Sequence, residues 1–219
     1  MHVLLVGPPG AGKGTQAHVL EARTGIKHVA SGDLLRWAIR AQSPLGQQAG
    51  AYVDRGALVP DELVVELIRE RIGRPDCTAG VILDGFPRTR DQTRVLEQML
   101  ATQDQAIAAV IYLNAPRDVL LKRIAGRLVC HGCQASYNIY YAPSRAEGIC
   151  DLCRDGLYER SDDKWATARH RLEVYLQQTL PMIAYYRERR LLHEIDATGH
   201  IDTVTEQVLT HLQLRRADA

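Results

Sequence analysis

A glycine-rich segment near the start of the chain constrains the fold most strongly. Residues 3–20 read VLLVGPPGAGKGTQAHVL, which is a short apolar run, a glycine-rich turn with one lysine, and a helical pattern. Glycines leave backbone N–H groups free to converge on an anion, because no Cβ blocks the approach. The following helix adds its positive dipole end and its unpaired N–H groups at the same place. The segment therefore predicts a phosphate-binding loop between a strand and a helix.

The spacing of this loop matches the P-loop pattern. Gly7 is followed, after four residues, by Gly12 and Lys13, and the lysine supplies a point charge for phosphate oxygens. Position 14 is glycine where the strict pattern has Ser or Thr, and the hydroxyl comes one residue later, at Thr15. A purely structural glycine turn is the alternative. The preceding strand, the following helix and the lysine favour phosphate binding.

Length and composition restrict the class of protein. The 219 residues, 46% hydrophobic and 24% charged, suit one globular domain with insertions. The net charge of +1 gives no global basic field for nucleic acid or an anionic membrane. No apolar stretch approaches the ~20 residues that span a bilayer, and the first apolar run is too short for a signal peptide. We therefore expect a cytoplasmic protein with neither nucleic-acid nor membrane partners.

Short apolar runs bounded by turn residues alternate with helical patterns along the chain. They lie at Val3–Val6, Lys27–Ala30, Val81–Leu83, Ala109–Leu113 and around Leu192–Ile195. Continuously apolar strands are typical of a parallel sheet covered by helices on both faces. The sequence thus predicts a P-loop NTPase-like α/β fold with a doubly wound, parallel, five-stranded sheet.

Two connections are too long for simple crossovers. Residues 31–80 contain helical patterns of their own, and residues 127–163 contain four cysteines. Both are expected at the ligand-binding edge, where loops leave the carboxyl ends of the strands. After the second insertion, Asp162-Asp163 resembles a helix N-cap. Pro181 is expected to divide the helical run that follows into two.

Four of the five cysteines form two Cys-x2-Cys pairs separated by sixteen residues. This spacing is typical of a tetrahedral thiolate site for zinc, and four sulfur ligands leave no open position for a substrate. The predicted metal is therefore structural, although disulfides or free thiols remain alternatives. His131, inside the first pair, is expected to be a bystander. The predicted ligands are Cys130, Cys133, Cys150 and Cys153.

A carboxylate, Asp84, ends the predicted strand Val81–Leu83. P-loop proteins use an aspartate in that place to hold Mg²⁺ through an oxygen or a water molecule. An aspartate at a strand end is a weak signal alone, since many strands end so. The P-loop elsewhere in the chain favours the metal-linked interpretation.

Three ordered motifs resemble the signatures of the adenylate kinase family. They are Gly7–Thr15, then Ser31-Gly32-Asp33-Leu34-Leu35-Arg36, and then Asp84-Gly85-Phe86-Pro87-Arg88 with Gln92 following. The resemblance extends to residues 58–62, to Gly126-Arg127 and to Arg160-Ser161-Asp162-Asp163 with Arg171, and so covers nearly the whole chain. The cysteine-bearing insertion resembles the lid of the zinc-bearing members. The implied reaction is reversible phosphoryl transfer in which ATP and AMP give two ADP, with Mg²⁺.

The resemblance also implies a division of the chain and a set of contacts. The core would comprise residues 1–30, 61–126 and 164–219, the nucleoside-monophosphate (NMP) domain residues 31–60, and the lid residues 127–163. A monomer is expected for the family. The implied ATP contacts are Gly10, Ala11, Gly12, Lys13, Gly14, Thr15, Arg127, Ser136, Tyr137 and Gly199. The implied AMP contacts are Ser31, Arg36, Ala57, Leu58, Val59, Gly85, Phe86, Pro87, Arg88, Gln92, Arg160 and Arg171.

Phosphoryl transfer depends mostly on positioning and charge neutralisation, so its site needs cations. Guanidinium forks match phosphate oxygens bidentately. Asp33 and Asp84 are expected to act on Mg²⁺ and its waters. For any one arginine, a solvated surface position is the alternative, and Arg123 is the most open to it. The candidate catalytic residues are Lys13, Asp33, Asp84, Arg88, Arg123, Arg127, Arg160 and Arg171.

A few positions depart from the commonest family pattern. Ser31 stands where Thr is frequent, Ala57 where Lys is frequent, and Asn138 follows Tyr137 where His is usual. Two other functions stay open: a kinase that prefers UMP or CMP, and a non-catalytic ATP-gated zinc module. The long cysteine-bearing lid and Gln92 favour AMP as the acceptor.

Overall fold

The computed structural model describes residues 1–216 of the chain, with side chains described to residue 212. The last three residues of the expected core segment 164–219 lie outside the described residues. The strands are β1 (His2–Val6), β2 (Lys27–Ala30), β3 (Val81–Asp84), β4 (Ile107–Asn114), β5 (Arg127–Cys130), β6 (Ser136–Asn138), β7 (Leu157–Tyr158) and β8 (Leu192–Asp196). The helices are α1 (Lys13–Thr24), α2 (Ser31–Arg40), α3 (Pro44–Asp54), α4 (Asp61–Ile72), α5 (Arg90–Ala101), α6 (Arg117–Ala125), α7 (Trp165–Val174), α8 (Leu180–Glu188) and α9 (Ile201–Arg216).

A parallel five-stranded sheet lies at the centre, with the strand order β2-β3-β1-β4-β8. Every residue of the middle strand β1 is buried. Its apolar side chains are shielded from water on both faces of the sheet, because helices cover both faces. The predicted P-loop NTPase-like α/β fold is confirmed, and each of the five apolar runs is a strand of this sheet.

The first insertion, between β2 and β3, contains α2, α3 and α4. Helix α3 begins at a favourable sequence, because the Ser43 side chain accepts a hydrogen bond from the Gly46 N–H and Pro44 stands in the first turn. The second insertion carries a separate antiparallel sheet with the order β6-β5-β7. Both insertions are thus built from secondary structure of their own.

The long helical run after the second insertion differs from the prediction. A π-helical turn, Tyr175–Thr179, separates α7 from α8, so the irregularity precedes Pro181 and the chain stays helical through it. The N-cap interpretation of Asp162-Asp163 is wrong. Lys164 is the N-cap of α7 and makes no side-chain cap hydrogen bond, whereas both aspartates are buried in a short 3₁₀ turn. Among the helices of residues 1–216, none is long and apolar enough to cross a membrane.

Candidate active site

The glycine-rich loop between β1 and α1 packs tightly against two neighbouring elements. Gly7 and Gly10 have φ angles of 148° and 83°. A Cβ on Gly7 would lie 2.3 Å from the Leu113 carbonyl oxygen of β4, and one on Gly10 would lie 2.6 Å from the Leu120 carbonyl oxygen of α6. Because neither backbone oxygen can move far, only glycine fits these two positions. The loop is therefore held in one shape at the carboxyl end of β1.

Lys13 opens α1, and its side chain folds back over the loop. Its Nζ donates hydrogen bonds to the carbonyl oxygens of Gly7 at 2.9 Å and Pro8 at 3.0 Å. Burial of the ammonium lowers the pKa of Lys13 to about 8, although the negative charge of Asp84 acts to raise it. The lysine charge is thus enclosed beside the loop, where an anion would restore its usual pKa.

Asp84 ends β3 next to the loop. A Cβ on Gly14 would lie 3.5 Å from Asp84 Oδ2, so glycine at position 14 leaves space in front of this carboxylate. Burial favours the protonated acid, but the neighbouring His28, Lys13 and Arg88 outweigh it and lower the pKa of Asp84. The group is an anion at neutral pH. An ionised carboxylate near a phosphate loop fits the oxygen ligands that Mg²⁺ takes.

One cavity lies between the sheet edge and the helices of the first insertion. Ser31 positions part of its wall, because its hydroxyl donates to the carbonyl oxygen of Gly85 at 2.7 Å. Of the expected AMP contacts, Phe86 and Arg160 do not line this cavity, and Phe86 is wholly buried in the core. The expected contacts that do line it are Ser31, Arg36, Ala57, Leu58, Val59, Gly85, Pro87, Arg88, Gln92 and Arg171.

Two hydrogen bonds fix the amide of Gln92 within this wall. Its Oε1 accepts from the Arg88 N–H at 2.7 Å, and its Nε2 donates to Asp61 Oδ1 at 2.7 Å. The second oxygen of Asp61 accepts from the Thr89 hydroxyl at 2.6 Å. Asp61 therefore orients Gln92, and sequence reasoning missed this role because its partners lie about 30 residues further along the chain.

A second cavity lies between the phosphate loop and the lid. All ten expected ATP contacts line it, together with Asp33, Asp84, Arg123 and Arg160. The Arg123 guanidinium stacks over the Tyr141 ring at 5.4 Å from its centroid, and Asn138 donates to the Arg123 carbonyl oxygen at 2.8 Å. The Asp33 carboxylate is paired with Arg36. Arg123 thus lies at the cavity wall and not on a solvated outer face.

The two cavities share six lining residues, of which four are cations: Lys13, Arg36, Arg88 and Arg171. Burial lowers the pKa of each of these three arginines, and that of Arg171 to about 10. They remain protonated at neutral pH. A ligand in each cavity would therefore place its anionic group against a common set of positive charges.

Two buried carboxylates hold three of the arginines in place. Asp163 accepts from Arg127 Nε at 2.6 Å and from Arg171 Nη1 at 2.9 Å. Asp162 accepts from Arg160 Nε at 2.9 Å and Nη2 at 2.6 Å, and its Oδ2 lies 2.9 Å from Arg171 Nη1. Although burial opposes ionisation, Arg171 and Arg160 keep the pKa of Asp162 well below its ordinary value. Asp162 and Asp163, which the sequence predicts as a helix N-cap, thus anchor the three arginines.

The four lid cysteines come together as predicted. Their sulfur atoms lie within 4.8 Å of one another, with 3.3 Å between Cys130 and Cys153 and 3.5 Å between Cys133 and Cys150. These separations exceed the ~2.05 Å of a disulfide bond, and all four are free thiols. Four sulfurs at such distances fit a tetrahedral Zn²⁺ ion. His131 is outside the cluster and stacks on Tyr158 at 4.2 Å between ring centroids.

Two similar turns present these sulfurs. The N–H of Cys130 donates to Ala135 O at 3.0 Å, and that of Cys150 donates to Asp155 O at 2.8 Å, so each turn closes over the same number of residues. Tyr137 links the cluster to the second cavity. Its hydroxyl accepts from the Asp151 N–H at 2.8 Å and lies 3.4 Å from Cys150 Sγ, and this contact lowers the pKa of that thiol to about 6.

The fold and the site define a P-loop phosphotransferase with two adjoining cavities that share a cationic wall. The family model "Adenylate kinase" matches residues 5–191. The chain is 45% identical over 213 residues to the adenylate kinase of Carboxydothermus hydrogenoformans, covering 97% of this chain and 100% of that protein. It is 47% identical over 204 residues to that of Moorella thermoacetica, covering 93% and 94% of the two chains. This chain belongs to the adenylate kinase family.

Proposed function

We propose that this protein catalyses reversible phosphoryl transfer from ATP to AMP, giving two ADP. The observation that carries the proposal is the meeting of two cavities at Lys13, Arg36, Arg88 and Arg171. A donor and an acceptor bound in the two cavities would bring their phosphates together among these cations. Phosphoryl transfer requires little beyond such positioning and charge neutralisation.

On the donor side, the cavity beside the phosphate loop would take ATP. The loop N–H groups would bind its phosphates, and Lys13 would leave the carbonyl oxygens of Gly7 and Pro8 to meet them. Arg123, stacked on Tyr141, would lie near the adenine end of this cavity. Arg127 would neutralise phosphate charge from the lid side.

On the acceptor side, the cavity lined by the first insertion would take AMP. The apolar segment Ala57–Val59 and Gln92 line the part expected to hold the base, and Arg36 and Arg88 the part expected to hold the phosphate. A monophosphate has a second pKa of about 6 and is already an oxyanion at neutral pH. No side chain therefore needs to remove a proton in the chemical step.

Two metal ions belong to the proposal. Mg²⁺ bound with ATP would supply further charge neutralisation on the phosphates, with Asp84, Asp33 and the Thr15 hydroxyl near its water shell. Zn²⁺ would be held by the four lid cysteines, whose sulfurs lie close enough to share one ion. With no open position on the metal, its role would be to hold the two turns of the lid together.

We further propose that residues 127–163 form a lid and residues 31–60 an NMP domain, both of which close over the substrates. A closed site excludes water, which would otherwise hydrolyse ATP. Arg40 of α2 already donates to Gln134 of the lid at 3.2 Å. Gly126, directly before the lid, and Gly148, within it, are the expected flexible points. A bisubstrate analogue that left lid hydrogen exchange unchanged would refute closure.

The free thiols of the lid support a cytoplasmic location, where cysteines stay reduced. Family resemblance implies a monomer that has no nucleic-acid or membrane partner. Light scattering on the purified protein, with and without nucleotides, tests this proposal. A stable dimer would contradict it.

The decisive experiment measures ADP formation from ATP with AMP, CMP, UMP and GMP as acceptors in turn. AMP is expected to be the fastest. Equal rates on all four would refute AMP specificity and favour a broader monophosphate kinase. ATP binding without any turnover would favour a non-catalytic, ATP-gated zinc module.

An arginine-to-lysine pair of variants tests the site itself. Arg88→Lys should lower kcat/KM by about tenfold or more, because a lysine cannot replace a guanidinium fork on phosphate. Arg94→Lys is the matched control, since Arg94 lies on the outer face of α5 and pairs with exposed Asp91. Equal activity of the two variants would refute a role for Arg88 in binding phosphate.

A further inference from the structure

A cluster of three metal-binding side chains lies beside the phosphate loop and takes no part in the proposed reaction. His18 and Glu21 belong to α1, and His28 belongs to β2. One ligand atom of each lies within 4.8 Å of the others. Two imidazoles and one carboxylate form a common ligand set for transition-metal ions.

The fold brings these three residues together for simple reasons. His18 and Glu21 are three residues apart and so share one face of α1. The chain turns back directly after α1 and enters β2, which places His28 against that face. The rings of His18 and His28 are nearly perpendicular, with 4.8 Å between their centroids. The arrangement follows from main elements of the core and not from a mobile loop.

The His28 ring lacks an interaction that a buried imidazole normally has. Its side chain is only 5% exposed, and its Nε2 has no hydrogen-bond partner within the described residues. The nearest acidic oxygen, Asp84 Oδ2, is 3.7 Å away. A buried polar atom without a partner is costly. A bound cation fixes the ring and makes its other nitrogen a stronger donor, as metal-bound histidines commonly show.

The charges around the cluster suit a metal ion. Partial burial and the neighbouring His28 ring lower the pKa of His18, so this imidazole is neutral at pH 7 and has a lone pair to donate. The Glu21 carboxylate is paired with Lys27 at 3.0 Å. The Lys27 ammonium is partly exposed and can turn to solvent when a cation replaces it.

We propose that His18, Glu21 and His28 bind one divalent transition-metal ion, of which Zn²⁺ is the type. The site is separate from the lid cysteines, and through His28 it adjoins Asp84, which is expected near Mg²⁺. Its two imidazoles favour a transition metal, whereas Mg²⁺ prefers oxygen ligands. Three protein ligands leave at least one position for water. The bound ion would add positive charge close to Asp84 through His28.

Cobalt titration of the full-length protein, with zinc already bound to the lid cysteines, tests this site. We expect one further equivalent of Co²⁺, with weak visible bands and without the intense near-ultraviolet absorption that thiolate ligands produce. His18→Gln and Glu21→Gln should each lower the Co²⁺ affinity by about tenfold or more, since even outer partners of metal ligands contribute about 10- to 100-fold. His170→Gln, on the exposed face of α7, is the control and should leave the affinity unchanged.

The titration measures Co²⁺ binding directly and does not depend on kinase activity. His18 is exposed, so its replacement leaves the core intact, and circular dichroism confirms that the variants fold. Failure to bind a second equivalent at about millimolar Co²⁺ would overturn the site. Binding that is equal in the parent, His18→Gln and Glu21→Gln would also overturn it.

Discussion

Replacing Asp163 by asparagine tests whether a buried carboxylate holds the arginines of the site. The Asp163 side chain is wholly buried, accepts from Arg127 and Arg171, and has Arg160 Nε 3.8 Å away. Asparagine keeps the shape but removes the charge, and turns one acceptor oxygen into an N–H donor that faces guanidinium donors. The arginines then lose a charged partner while remaining largely enclosed.

The size of the effect follows from these contacts. Hydrogen bonds to charged groups contribute about 1.5–3 kcal/mol each, and removing one partner of a buried ion pair costs about 3–5 kcal/mol. The side chains of Arg127 and Arg171 keep 22% and 16% of their surface exposed, so water can partly replace the lost partner. We expect Asp163→Asn to lower the free energy of unfolding by about 2–4 kcal/mol. For a chain of this length, that corresponds to a melting temperature lower by about 6–12 °C.

Calorimetry at pH 7 with matched variants measures this difference. Asp91→Asn makes the same chemical change at an exposed pair, 2.8 Å from Arg94, and should cost less than about 1 kcal/mol. Saturating nucleotide should narrow the gap between Asp163→Asn and the parent, because bound phosphates give the freed arginines a new anionic partner. Melting temperatures that are equal for the two variants would refute the anchoring role of Asp163.

Three further predictions concern the loop and the lid. Gly7→Ala should lower the free energy of unfolding in urea by at least about 2 kcal/mol, because its Cβ would clash with a β4 carbonyl oxygen. Gly50→Ala, in open space within α3, is the control and should leave the stability unchanged or raise it by up to about 1 kcal/mol. ATP binding at pH 8 should take up about half a proton, because the pKa of Lys13 rises from about 8 when a phosphate lies beside its ammonium. The same heat of binding in buffers of different ionisation enthalpy would contradict this. Cys153→Ser should lower zinc content and the lid's hydrogen-exchange protection, and His131→Ala should change neither; zinc content unchanged in Cys153→Ser would exclude the cysteine site.

The sequence predicts the central sheet well because each strand carries its own signal. The runs are apolar throughout, and such strands can be covered only in a parallel sheet with helices on both faces. Strand ends are less certain, since pairing sets them. The strand β4 begins at Ile107, two residues before the predicted run, because His2 of β1 pairs with Ile107 across an irregularity in register.

The phosphate loop and the cysteine pairs were predictable for a related reason. Their geometry depends on residues a few positions apart, such as Gly7 to Lys13 or Cys130 to Cys133. The anchors of the site were not predictable in this way. Asp163 and Arg127 are 36 residues apart in the chain, and only the folded lid brings their side chains into contact.

The error at Asp162-Asp163 has a definite physical cause. An aspartate before a helix can accept from the free N–H groups of the first turn, and the sequence favours that interpretation. A guanidinium is a stronger partner, because charge-assisted hydrogen bonds are about twice as strong as neutral ones. Arg127, Arg160 and Arg171 together therefore hold both carboxylates away from the helix end.

The anchoring carboxylates also explain why a nearly neutral chain can bind two polyanions. The net charge is only +1, so the attraction for phosphate has to be local. The site contains seven cations and four carboxylates, which leaves a positive excess around the two cavities. Without the aspartates, the largely enclosed arginines would repel one another before a substrate arrived. Carboxylates that hold the guanidinium groups in place reduce the reorganisation needed on binding, and arriving phosphates then meet cations whose positions are already set.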